Sequence, residues 1–185
     1  QYFTHTTPAT HIPNGTHQPT VITSGNSRNL VFIGSNYGPN IEAAQNLANM
    51  ATQLPGYTIQ ILGHCATQVH STAPNVQLVG PVTDKQLDYY LANAHQFINL
   101  MSKGSGTHLK LARAMAYGIP VVTTPIGGRG YTSPTLVTTN LQTVDAILEV
   151  TNSWQKHHNT ALAEAQTLTW DTICINLYEV LRGLQ

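Results

Sequence analysis

Residues 102–124 combine the residue types and spacing best suited to chemistry: Ser102-Lys103-Gly104-Ser105-Gly106-Thr107, an apolar-patterned stretch from His108 to Tyr117, then Gly118-Ile119-Pro120-Val121-Val122. Gly104 and Gly106, with Ser105 between them, let a ligand come close to the backbone because glycine presents no Cβ. Thr107 or Ser105 is expected to cap the helix that follows. The first N–H groups of that helix lack intrahelical partners and, with its dipole, favour an anion. No Asp or Glu occurs between Asp88 and Asp145, yet Lys103, Lys110, Arg113 and Arg129 all lie there. Free amides beside an isolated set of cations suit a diphosphate, with residues 104–107 as its cradle. Lys110 and Arg113, three apart and so on one helix face, are the expected charge partners. Two structural roles compete: Arg113 could pair with Asp88 or Asp145 across the fold, and Lys110 could lay a solvated stem along its helix.

These residues must be positioned by what surrounds them. Leu109, Ala112 and Ala116 fall on one face of the expected helix, with Leu111 and Met115 beside it, so that side should meet a sheet. Gly118 fits the position just past the helix end, and Pro120 prevents continuation. Upstream, Leu30-Val31-Phe32-Ile33 is a continuous apolar run, as in a strand covered on both faces. Further strands are expected at 57–62, 75–80, 96–101, 121–122 and 135–137. Helical patterns fall between them, begin at Asp84 and from Thr143, and close with a helix starting near Thr169. Strands alternating with helices imply a parallel sheet with right-handed crossovers. On such sheets ligands sit beyond the carboxyl ends of the strands, where Gly34, Gly63, Gly80, Gly104, Gly106, Gly127 and Gly128 should gather. A nicotinamide reading fails, because the turn at Gly34 and Gly38 lacks the G-x-G-x-x-G spacing and no acidic residue follows at the ribose position.

Composition bounds the rest. At 185 residues the chain is long enough for one α/β domain. Its formal net charge of zero excludes a general nucleic-acid binder. Only 9% of residues are charged, far below the ~25% of ordinary soluble domains; nothing physical in the sequence explains it. Two cysteines, Cys65 and Cys174, form no C-x-x-C pair, and nine histidines are scattered, so neither a disulfide scaffold nor a metal site is expected. No apolar run approaches the ~20 residues of a membrane span. Because the chain begins at Gln1 rather than Met, it is expected to be a piece of something longer. Residues 1–28 read as a linker or lead-in, 29–168 as the folded domain and 169–185 as a terminal helix.

An ordered set of motifs resembles the C-terminal, donor-binding half of GT-B glycosyltransferases, especially glycosyltransferase family 4. The set comprises Ile12-Pro13-Asn14-Gly15, Phe32-Ile33-Gly34-Ser35 with Pro39-Asn40, Ile61-Leu62-Gly63 and the run from Asn75 to Val82 with Asp84. It continues with Gly104-Ser105-Gly106-Thr107, Leu109-Lys110-Leu111, the run from Ala114 to Thr124, Gly127 to Gly130 and Trp170-Asp171. The resemblance implies a Rossmann-like three-layer α/β/α fold with a mainly parallel six-stranded sheet, one half of a GT-B fold. It further implies a site for a nucleotide-diphosphate sugar as donor substrate, with no metal or other cofactor and with retention of anomeric configuration. Base and ribose would lie near Gly63-His64 and Pro81-Val82, and the diphosphate near Gly34-Ser35 and Gly104-Gly106. An N-terminal domain outside this chain would bind the acceptor, and the closing helix 169–185 would pack toward it. The implied location is cytoplasmic, with any contact to the inner face of a membrane made through that missing half.

Two departures stand out. The family's paired glutamates fall at Ser105 and Arg113, and the second usually accepts hydrogen bonds from ribose hydroxyls, which a guanidinium cannot do. No Lys or Arg occurs among residues 35–41, where the family often carries a cationic pair. The competing reading is therefore a degenerate domain serving as a non-catalytic binding or scaffolding module. A phosphosugar epimerase of the same architecture fits less well, since this sheet edge offers almost no carboxylate. His64 and His108 are expected to make ordinary polar contacts there. The chain alone is expected to be catalytically silent, because transfer needs donor and acceptor in one closed site.

Overall fold

The computed structural model describes residues 10, 12–104, 108–131, 136–138 and 143–183. Five parallel strands form the body of a twisted sheet: β1 (Asn29–Ile33), β2 (Thr58–Leu62), β3 (Val76–Gly80), β4 (Gln96–Asn99) and β5 (Val121–Thr123). A short edge segment, β6 (Leu136–Thr138), pairs beside β5, giving the order β3-β2-β1-β4-β5-β6. The order runs outward from β1 to β3 and then restarts on the other side of β1 with β4. Adjacent crossovers thus leave in opposite directions at β1 and β4, and a crevice opens beyond their carboxyl ends.

Helices α1 (Gly38–Asn49), α2 (Asp84–Ala92), α3 (Leu109–Ala116) and α4 (Thr143–Asn152) cover the two faces, and α5 (Trp154–Thr167) and α6 (Trp170–Arg182) follow. Successive strand residues point to opposite faces, and β1 shows the consequence. Leu30 and Phe32 enter a core with Leu47 of α1 and Ile147 and Val150 of α4, while Val31 enters one with Leu91 of α2 and Leu111 and Met115 of α3. Apolar residues are needed at consecutive positions because neither face meets water.

The strand pattern read from the sequence is present, each strand within one or two residues of its expected place. Asp84 does begin a helix, where Thr83 makes a capping box with Gln86. Gly118 follows the α3 C-cap with φ +70°, the left-handed position where glycine ends helices. The helical pattern from Thr143 proves to be two helices broken at Ser153. The first residue of the α3 cap also differs from expectation: His108 occupies it and makes no side-chain cap bond. Ser105, Gly106 and Thr107 lie outside the described residues.

The lead-in is fastened by backbone. Thr16 N–H donates to Leu168 O at 2.7 Å and Thr23 N–H to Tyr117 O at 2.9 Å. Helix α6 buries only Ile173. Trp170, Leu177, Tyr178 and Leu181 are exposed at helical spacing, an apolar stripe whose first residue, Trp170, rests against Gly15.

Candidate functional site

The crevice between β1 and β4 is a cleft of about 400 Å³. Ile33, Gly34 and Ser35 line it from the turn after β1, Tyr37 and Asn40 from the start of α1, and Met101 and Gly104 from the segment after β4. His108, Leu109 and Lys110 complete it from the head of α3. Of the residues expected to hold a ligand, the structure therefore brings together Gly34, Ser35, Gly104 and Lys110. Gly63 sits against the same turn: its N–H donates to Gly80 O at 2.7 Å, and a Cβ on it would collide with Gly34 O. His64 opens a 3-10 turn, His64–Gln68, and is exposed, while Val82 leans on the α2–α3 core. Neither reaches the cleft lining.

Lys110 is the electrostatic centre. Its Nζ donates to Ile33 O at 3.0 Å and to Asn40 Oδ1 at 3.2 Å, lies 3.6 Å from Met101 Sδ, and stands 4.6 Å from the centroid of the Phe32 ring. All of these partners are neutral. Among the described residues no carboxylate lies within ion-pair distance of it, because Glu42 pairs with Lys103 and Asp84 and Asp88 with Arg113. Burial pulls the lysine down to about 8, since losing water disfavours the charged form. It is therefore still mostly a cation at neutral pH. The stem is packed rather than laid along the surface, so the solvated-stem alternative does not hold.

Asn40, unnoticed as a site residue in the sequence beyond its place in a motif, locks the cleft wall. It is 8% exposed, accepts from Lys110, and its Nδ2 donates to Ser35 Oγ at 3.1 Å. Pro39 is the second residue of α1, within the first turn where its missing N–H costs nothing, and Asn40 follows it as the third. From the other side Arg129 donates to Gly104 O at 2.6 Å, and Ser102 and Lys103 reach Glu42 of α1. The segment leaving β4 is thus tied at both flanks.

Arg113 goes elsewhere, and the expectation that it shares the anion site is corrected. Its guanidinium donates to Asp88 Oδ1 at 2.7 Å and to Asp84 Oδ1 at 3.4 Å, and the Tyr117 hydroxyl donates to the same Asp88 oxygen at 2.6 Å. The Tyr117 and Arg113 bonds hold the Asp88 carboxyl below its usual range. Lys110 and Arg113 do lie three apart, but long side chains can diverge from neighbouring Cβ atoms: one turns toward the end of β1, the other toward α2. Replacing Arg113 by methionine is expected to leave the affinity of the domain for pyrophosphate, read by calorimetry, within about threefold. An arginine that held the anion directly would cost about tenfold or more.

A family model described as glycosyl transferases group 1 matches residues 27–153. That span takes in every strand from β1 to β5, all of α1 to α4 and the whole cleft. The chain belongs to the glycosyl transferases group 1 family. No curated protein matches it by sequence. Among solved structures, the family resemblance extends to the fold of Anabaena Alr3699/HepE, solved with UDP and glucose, at TM-score 0.60 and 18% identity. The match covers 85% of this chain and 48% of that one. The pneumococcal O-GlcNAc transferase GtfA, in complex with UDP and GlcNAc, matches at TM-score 0.56 and 12% identity over 90% of this chain and 38% of its own. An S. aureus TarM mutant, in complex with fondaparinux, alpha-GlcNAc-glycerol and UDP, matches at 0.58 and 14% over 89% and 37%. At these identities the likeness is one of fold: the sheet is a Rossmann-like half of a GT-B architecture. The group 1 chain spans less than half the length of these three proteins.

Among the described residues of this family member, no group of three or more His, Cys, Asp or Glu is arranged to hold a metal ion. No described helix is long and apolar enough to cross a membrane.

Proposed function

We propose that this domain holds a nucleotide-activated sugar for a glycosyltransferase, with the diphosphate against Lys110 and the backbone of Gly34 and Gly104. The reading rests above all on one observation. Lys110 is a desolvated cation with only neutral partners, at the topological switch point of a parallel sheet. Such a charge is favourable when an anion joins it, and a diphosphate is the anion that a group 1 family member would bring. Base and ribose would extend toward Gly63, His64 and Val82. The leaving diphosphate is stabilised electrostatically by the ammonium and the amides of the α3 head, without a metal, and transfer proceeds with retention. The acceptor would be held by a second domain outside this chain, against which the exposed stripe of α6 would pack.

Calorimetry with UDP-, GDP- and TDP-sugars tests the reading. One donor is expected to bind at sub-millimolar strength, and the chain alone to transfer nothing. If no donor binds, the degenerate scaffolding module takes its place. The observation on that side is Arg113, which stands where the family carries a ribose-binding glutamate and is already engaged by Asp88.

A further inference from the structure

We propose that Asn40 is a positioning residue that aims two hydrogen-bond donors, the ammonium of Lys110 and the hydroxyl of Ser35, at one bound phosphate. The inference rests on the diphosphate reading of the cleft and adds to it the group that sets the direction of its donors.

Asn40 is buried at the head of α1. It packs over the turn after β1 so closely that a Cβ on Gly34 would come within 2.8 Å of its own Cβ. An ammonium has only hydrogens to offer, so the amide oxygen must be the atom that faces Lys110. The amide nitrogen is then turned toward Ser35, where it donates to Oγ at 3.1 Å and to the backbone oxygen at 3.4 Å. Exchanging the two ends would set N–H against N–H at Lys110. The side chain therefore has one orientation, with its oxygen and both hydrogens engaged.

Both ends bear on the cleft. Ser35 is exposed and lines it. Its Oγ accepts from Asn40, so its single hydrogen is directed away from the amide, on the side open to a ligand. At the other end, two hydrogens of the Lys110 ammonium are held by oxygens, Ile33 O and Asn40 Oδ1, and the third meets Met101 Sδ at 3.6 Å. A thioether is a weak acceptor, so this third hydrogen is the one that a phosphate oxygen takes. Without Asn40 the ammonium would pivot about Ile33 O, and the Ser35 hydroxyl would be free to turn to the backbone. The partner at Lys110 must also be neutral. A carboxylate in place of the amide would form an ion pair with Lys110 and occupy the charge that the ligand needs.

The test uses UDP and inorganic pyrophosphate on the chain as it stands, by calorimetry. Asn40→Asp, equal in size, is expected to weaken both by at least about tenfold, and Asn40→Ala by about three- to tenfold. Ser35→Ala is expected to cost about threefold alone but less than about twofold once Asn40 is alanine, because one residue acts through the other. The Cε resonance of Lys110 supplies a readout that a merely structural asparagine would not move. It should titrate near 8 in the wild type and about one unit or more higher in Asn40→Asp, since an opposite charge favours the cation. The loss of pyrophosphate affinity with rising pH should move up with it. The other titratable groups nearby are Cys65 in the turn after β2 and His108 at the head of α3, with Glu42 of α1 held by Lys103; the Asn40 variants leave all of them in place. An Asn40→Asp protein that binds both anions as the wild type does, or a Lys110 titration that stays where it was, overturns the assignment. So do fully additive losses from Ser35→Ala and Asn40→Ala. If the wild type binds neither probe, or if Lys110→Met binds UDP normally, the diphosphate reading fails and takes the inference with it. Asn40 variants that spare a UDP site sensitive to Lys110→Met sink the inference alone.

Discussion

Lys110→Met is expected to weaken nucleotide-sugar binding by at least about 30-fold and, at the same time, to raise the melting temperature by a few degrees. The first effect follows from removing a charge-assisted hydrogen bond to phosphate in a desolvated cleft, a loss of about 2 kcal/mol. The second follows from the same burial. A lysine brought down to about 8 from 10.5 has a cationic form disfavoured by roughly 3 kcal/mol relative to water. Methionine keeps the stem and the Phe32 contact without that penalty. The loss of donors to Ile33 O and Asn40 Oδ1 offsets part of the gain, leaving about 1 kcal/mol, or a shift of about 2–4 °C for a domain of this size. A residue that destabilises the fold it belongs to is expected where function demands it. Calorimetry and a thermal melt on the same sample decide the matter. A variant that binds normally, or one that is less stable and binds as before, would contradict the assignment.

The pH dependence has a definite sign. Because the folded-state value is depressed, the unfolded chain binds more protons than the native one between about pH 8 and 10.5, so wild-type stability rises with pH across that window relative to Lys110→Met. Below pH 8 the penalty is present in full. Anion affinity moves the other way: as pH rises through about 8 the cation is lost, and the dissociation constant should climb toward tenfold per unit. Both trends should be absent from the variant.

Much of the fold was legible because the sheet is buried on both faces. Leu30-Val31-Phe32 can only be a covered strand, and Gly118 and Thr83 carry turn and cap chemistry that is local in the chain. The site was less legible, for a physical reason. Lys110 and Arg113 look equivalent at three-residue spacing, and what separates them is Asp88, 25 residues before Arg113, and the Ile33 carbonyl, 77 before Lys110. No local pattern encodes such partners. Asn40 was visible as a motif letter, but its task of holding Lys110 and Ser35 together needs the sheet order. The adjacent His157 and His158 likewise hid a long-range role. His158 bonds Gly118 O at 2.7 Å and stacks on Trp154, its ring 4.5 Å away, whose Nε1 donates to His95 O at 2.7 Å. That stack pins α5 to the end of α3. Charge depletion between Asp88 and Asp145 was the most informative signal, since it anticipated a cation without a counter-ion.

Gly63→Ala is expected to cost about 4 kcal/mol or more and to lower the melting temperature by about 8–16 °C. Two terms combine at this position. Its backbone has φ +87° and ψ −179°, a region essentially closed to residues with a Cβ, at about 1–3 kcal/mol. The added methyl would also press into Gly34 O, which is backbone and cannot swing aside. Gly34 is itself held, with its N–H donating to Leu62 O at 3.0 Å and its carbonyl accepting from Cys65 N–H at 3.2 Å. Relief therefore requires moving the turn after β1, which is a wall of the cleft, so the surviving folded protein should also bind a nucleotide sugar more weakly. Gly80→Ala is the matched comparison. There φ is +80° and the space around a Cβ is open, leaving only the conformational term of about 1–2 kcal/mol. Equal losses in the two variants would show that backbone conformation alone matters. A markedly larger loss at Gly63, accompanied by weaker binding, would show that the close approach of the β1 and β2 turns is what shapes the cleft wall beside Lys110.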